Sequence, residues 1–137
     1  MEKFYSKIKP DTLLHLIHRM GDFTQGRLNV VNDDQFIQCA ALNFNEGVTF
    51  KPHRHLIKRI VREGYIAQES WIVIKGSVMC VFYDLDNTVL AKPVLQVGDA
   101  SFTLQGGHTY VILEDDTMVY EMKTGPYEGQ EKDKMFI

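Results

Sequence analysis

The spacing of hydrophobic positions along this chain changes near residue 35. In the segment before it, Leu13, Ile17 and Met20 recur at helical spacing, and Leu14 and Leu16 widen the apolar stripe. Asp11 and Thr12 follow Pro10 with helix-start chemistry, and Gly21 offers a stop. The pattern predicts an N-terminal α-helix over residues 10–20, on which His15 and His18 are partly exposed. Residues 22–34 read as an irregular connection with one short extended piece over 27–31. From Phe36 the period becomes that of strands. Residues 36–44 are apolar enough for a strand covered on both sides, and further strands are expected over 48–55, 71–75, 78–84, 89–96, 102–105, 108–113 and 117–123. Turn signals lie between them at Asn45-Glu46-Gly47, Gly76-Ser77, Asp86-Asn87, Gly98-Asp99, Gly106-Gly107 and Glu114-Asp115-Asp116. One helix followed by many short strands describes an all-β sandwich or barrel, with residues 1–34 as helix and connection and 35–137 as the barrel of a single structural domain.

Composition changes this picture little. The chain has 137 residues, 45% hydrophobic and 24% charged, which is ordinary for a globular domain able to bury its own core. A formal net charge of −3 argues against nucleic acid as the main partner. The N-terminal stretch has no apolar core of a leader, and no later run reaches the length needed to cross a bilayer, so a cytoplasmic protein without a membrane partner is expected. Cys39 and Cys80 both sit in apolar runs and read as core residues, with a disulfide or a thiolate ligand as the alternatives. The acidic cluster Asp84-Leu85-Asp86-Asn87 lacks the glycine and the glutamate of a calcium loop and reads as a hairpin turn.

Candidate chemistry concentrates between Gly47 and Gly76. His53 and His55 are separated by one residue, so on a strand they point to the same side. Glu69 follows at the head of the next strand, and Trp71, Val73 and Lys75 continue its alternation into Gly76. Glu63, beside Gly64, is the competing carboxylate. His108 opens a distant strand and is the natural fourth partner. Imidazole nitrogens with one carboxylate suit a divalent Fe, Mn, Ni or Zn ion, either with open positions or as a closed tetrahedral site. By alternation, Lys51 shares a face with His53, Trp71 with Glu69, and Tyr110 with His108. Tyr110 is thus a candidate general acid and Lys51 a candidate anchor for an anionic group, while Trp71 is a candidate to contact substrate. The stretch 56–68 alternates apolar and basic residues, and its Lys58, Arg59 and Arg62 are placed to steer an anionic substrate.

The spacing Gly47-x5-His53-x-His55…Glu69-x6-Gly76 resembles the first cupin motif, and Gly98…Gly106-Gly107-His108 resembles the second. Within cupins the chain is similar to the WbuC-like cupin-fold metalloproteins of surface polysaccharide (O-antigen) biosynthesis. Arg27-Leu28-Asn29, Pro52-His53-Arg54-His55 and Lys123-Thr124-Gly125-Pro126-Tyr127 carry that narrower likeness. The resemblance implies a jelly-roll β-barrel and metal ligands at His53, His55, Glu69 and His108. It also implies a small-molecule ligand, an anionic sugar derivative among the candidates, and a homodimer packed through residues 36–44 or 135–137. The activities it brings are sugar isomerisation or epimerisation, Fe(II)-dependent oxygenation, or non-catalytic ligand binding. Thirteen residues separate His55 from Glu69, Leu104 stands at the second motif's proline position and Ile112 at its asparagine position.

Overall fold

The computed structural model describes residues 1–52, 54, 66–125, 131 and 135–137. Its first two elements are strands, β1 (Glu2–Tyr5) and β2 (Leu13–His18), so the helix expected over residues 10–20 is not formed. The reason lies in burial. β2 is flanked by β1 on one side and by β9 (Ala100–Thr103) on the other, both antiparallel. Leu16 packs into one hydrophobic cluster and the next residue, Ile17, into another, so both faces of the strand are covered. A strand buried on two sides is apolar at most positions, and such a run contains a helical stripe by accident. His15 and His18, expected at a helix surface, are both buried. The only helical piece in this region is a single 3-10 turn over Met20–Asp22.

The remaining elements are β3 (Gly26–Asn29), β4 (Ala40–Asn43), β5 (Glu69–Lys75), β6 (Val78–Tyr83), β7 (Val89–Ala91), β8 (Val94–Leu95), β10 (Gly107–Ile112) and β11 (Met118–Lys123). The protein is all-β. One sheet runs β1-β2-β9-β5-β11; a second runs β10-β6-β7 with β8 also on β6; and β3 pairs with β4 in a hairpin. Every pairing is antiparallel. Among the described residues no pairing joins the two larger sheets into a closed barrel. The strands from residue 69 onward fall close to their sequence-based positions, with Lys92-Pro93 dividing the expected 89–96 strand into β7 and β8. The 36–44 strand shrinks to β4, and residues 48–52 carry no strand.

The two larger sheets pack face to face through Ile17 and Val73 on one side and Val78, Cys80, Phe82 and Leu95 on the other. Behind the five-stranded sheet, Leu16, Ala100 and Phe102 meet Val30, Val31, Ile37 and Ala41 from the segment around the hairpin. The five-stranded sheet is therefore the middle layer. Its N-terminal end is fastened by Asp99, which accepts from Arg19 Nη1 at 2.7 Å and from the backbone N–H groups of Met20 and Gln96 at 3.0 Å each. Burial disfavours the charged form of Asp99, but these bonds hold its pKa below the usual carboxylate range. Both cysteines are free thiols, and burial pushes Cys80 up to about 12, an unreactive core position. No helix is long and apolar enough to cross a membrane, among the described residues.

Candidate functional site

The inner face of the middle sheet changes character toward one end. Successive residues of a strand face opposite sides, so Ser101 and Thr103 of β9 turn away from the Ala100 and Phe102 cluster and toward the second sheet. On β5, Glu69 and Trp71 lie on that same inner side, continuing from Val73 in the inter-sheet core. On β11, Lys123 stands opposite Glu69 and Glu121 opposite Trp71 in the strand register. From the facing sheet, β10 brings His108 and Tyr110, whose register partners on β6 are Phe82 and Cys80. The apolar core thus gives way to a cavity of about 670 Å³ between the sheets with a mixed polar and apolar lining, to which Glu69, Trp71, Thr103, His108, Tyr110 and Lys123 contribute. Met135, Phe136 and Ile137 contribute to its rim.

Glu69 and His108 meet here, although 39 residues and two different sheets separate them. His108 Nε2 lies 3.1 Å from Glu69 Oε1, and Trp71 Nε1 donates to the same oxygen at 3.1 Å. Burial alone would raise the Glu69 pKa. The hydrogen bond and charge of His108, with smaller help from Trp71 and Lys123, hold it below the usual carboxylate range instead. The indole of Trp71 is stacked on the ring of Tyr110, with centroids 4.0 Å apart and planes 11° from parallel. Tyr110 Oη lies 3.2 Å from Ser101 Oγ, and burial raises the phenol pKa well above its ordinary value.

No family model, curated protein or solved structure matches this chain.

Behind this wall sits His15. Its Nε2 is 3.2 Å from the backbone oxygen of Tyr83 and its Nδ1 is 3.1 Å from Thr103 Oγ1. A carbonyl only accepts, so Nε2 carries the proton, and Nδ1 accepts from the Thr103 hydroxyl. The close approach depends on Gly106, which has a φ of +80° and where a Cβ would stand 2.6 Å from that same Tyr83 oxygen. Gly106 is what lets the chain turn into β10 and deliver His108.

Of the expected site residues, the structure brings together Glu69, His108, Trp71 and Tyr110. His53, His55, Arg59 and Arg62 lie outside the described residues. Lys51 is exposed and is not part of the cavity lining; residues 48–52 form no strand, so the alternation that paired Lys51 with His53 has no regular backbone behind it. Among the described residues no group of three or more His, Cys, Asp or Glu side chains forms a metal cluster. The two described members of the expected ligand set nonetheless fit one ion. Ligand atoms about 2.1 Å from a common metal stand about 3.0 Å apart at octahedral angles and about 3.4 Å apart at tetrahedral ones, and the observed hydrogen-bonded separation is 3.1 Å. Sequence reasoning missed Thr103, Ser101, Lys123 and His15. The first three follow from strand alternation only once the register against β5 and β10 is known. His15 was hidden by the helical reading of β2.

Proposed function

We propose that the cavity is a divalent-metal site at which a small polar molecule is bound and turned over, in the manner of a cupin. Glu69 and His108 serve as ligands, and the sequence spacing assigns the remaining positions to His53 and His55, which lie outside the described residues. The observation that supports this reading is the convergence of Glu69 and His108 from two sheets at a separation suited to neighbouring ligands of one ion. A carboxylate held ionised and an imidazole nitrogen are the donor types that an Fe, Mn, Ni or Zn ion accepts. Such an ion, when bound, polarises a carbonyl or hydroxyl oxygen of the ligand. The chain contributes the rest. Trp71 and Tyr110 form a flat aromatic wall, and Thr103 and Lys123 add polar groups to the lining. The substrate we favour is a sugar derivative undergoing isomerisation or epimerisation beside a carbonyl, and this rests on the cupin resemblance together with the polar groups in the lining. Tyr110 is a poor general acid in this arrangement, because its hydroxyl is already shared with Ser101 and burial opposes its ionisation.

Elemental analysis of the full chain, purified without chelators, tests the reading beside Glu69→Ala, His108→Ala and the double variant His53→Ala/His55→Ala. About one divalent ion per chain is expected for the unaltered protein, with loss in all three variants while the circular-dichroism spectrum of strands persists. An unaltered protein that holds no divalent ion ends the proposal. Oxygen uptake by the iron-loaded protein with candidate substrates separates oxygenation from isomerisation.

A further inference from the structure

Glu69 is approached by two N–H groups, and they differ in what metal binding does to them. An imidazole must present a bare nitrogen lone pair to a metal, so His108 Nε2 cannot both ligate and donate to Glu69. The indole N–H of Trp71 has no lone pair to offer and does not titrate; it donates only. Once His108 is a ligand, the Trp71 indole still donates to Glu69 Oε1, at 3.1 Å.

The indole is itself held in place. Its ring lies 4.0 Å from that of Tyr110, nearly parallel, and Tyr110 Oη reaches Ser101 Oγ at 3.2 Å. Ser101 is fully buried on β9, the neighbour of β5 in the middle sheet. The path Ser101, Tyr110, Trp71, Glu69 leaves the middle sheet, crosses to β10 and returns, so the carboxylate is set by contacts from both sheets. A Glu side chain has three torsions to fix, and a single metal bond fixes few of them.

We propose that Trp71 is the positioning residue for Glu69 as a metal ligand, clamped in that role by the ring of Tyr110; the inference rests on the metal reading above. Donors that orient a metal-binding side chain are typically worth roughly 10–100-fold in metal affinity. Trp71→Phe keeps an aromatic ring against Tyr110 and removes only the N–H, so a loss on that scale is expected. Tyr110→Phe keeps the stack and binds nearly as the unaltered chain does. Tyr110→Ala frees the indole and weakens binding about as much as Trp71→Phe.

The test is a competitive titration of the full chain with Zn²⁺ against a chromophoric chelator, accompanied by melting curves of the metal-free variants. Roughly 10–100-fold weaker Zn²⁺ binding by Trp71→Phe, at an unchanged metal-free melting temperature, supports the inference. Undiminished binding by Trp71→Phe, with Zn²⁺ lost in Glu69→Ala and His108→Ala, overturns the inference and leaves the metal reading standing. Absence of Zn²⁺ binding by the unaltered chain removes both. A measurement that needs no variant serves if Trp71→Phe does not fold. The chain has a single tryptophan, so its ¹H–¹⁵N spectrum holds one indole cross-peak. That peak shifts on stoichiometric Zn²⁺ addition if the indole N–H touches a ligand of the ion, and a stationary peak in a Zn²⁺-loaded protein refutes the assignment.

Discussion

His15 has no exposed surface, and its ring lies flat against Phe82 at 4.2 Å. Burial there lowers its pKa from 6.5 to about 4; the hydrogen bond to the Tyr83 carbonyl opposes this, and nearby His108 reinforces it. The sign of the stability effect follows. The unfolded chain takes up this proton as pH falls through 6.5, whereas the folded chain resists until about 4, so protonation favours unfolding. His15 therefore contributes its full stability above pH 6.5 and loses it progressively down to about pH 4, below which it adds no further change. At about 1.4 kcal/mol per tenfold difference in proton affinity, the loss across that window is about 3 kcal/mol. Denaturant unfolding at pH 7, 5.5 and 4 is expected to show this slope in the unaltered chain and a flatter one in His15→Gln, which keeps a donor and an acceptor but does not titrate. Parallel curves for the two proteins would rule the assignment out. Residues whose role depends on strand alternation alone, such as Glu69 with Trp71 and His108 with Tyr110, were legible in the sequence. His15 was not, because a histidine in an apolar run looks the same whether it faces water on a helix or a threonine in a core.

At the scale of elements, β2 shows where reading by period fails. The segment Leu13–His18 satisfies a helical stripe and a fully buried strand equally well, and six residues are too few to separate them. The deciding fact is long-range: β9 lies 82 or more residues downstream and supplies one neighbour, while β1 supplies the other. By contrast β5, β6, β10 and β11 are short apolar-rich runs set off by glycine or acidic turns, so their existence and approximate ends could be read directly. The strand assignment of β2 makes its own prediction. Leu16 and Ile17 are adjacent but fill different cores, one behind the middle sheet and one between the sheets. Leu16→Ala and Ile17→Ala are each expected to cost about 2–4 kcal/mol in denaturant unfolding, since each leaves a cavity in close-packed surroundings. On the discarded amphipathic helix, a residue at the stripe's margin would cost well under half of this. A large cost at one position and a negligible one at the other would contradict the two-sided burial.

At the scale of the molecule, the two larger sheets are pressed together by apolar contacts at one end and parted by a cavity at the other, with Glu69 on one wall and His108 on the opposite wall. An ion held by both side chains would join the walls at the cavity, and would bind the folded chain only. Linkage then fixes the size of the effect: at a free concentration 100 times the dissociation constant the folded state gains about 2.7 kcal/mol. For a chain of this length that corresponds to a rise of roughly 10 °C in melting temperature. Thermal unfolding with and without Zn²⁺ should show this rise in the unaltered chain and its disappearance in His108→Ala, where one wall loses its donor. An equal rise in His108→Ala would mean that the ion stabilises the protein from some other place. The comparison also bears on the histidines outside the described residues. If His53→Ala/His55→Ala abolishes the rise as completely as His108→Ala does, that segment must reach the same cavity, and the ligand set that the sequence spacing suggests becomes one site in space.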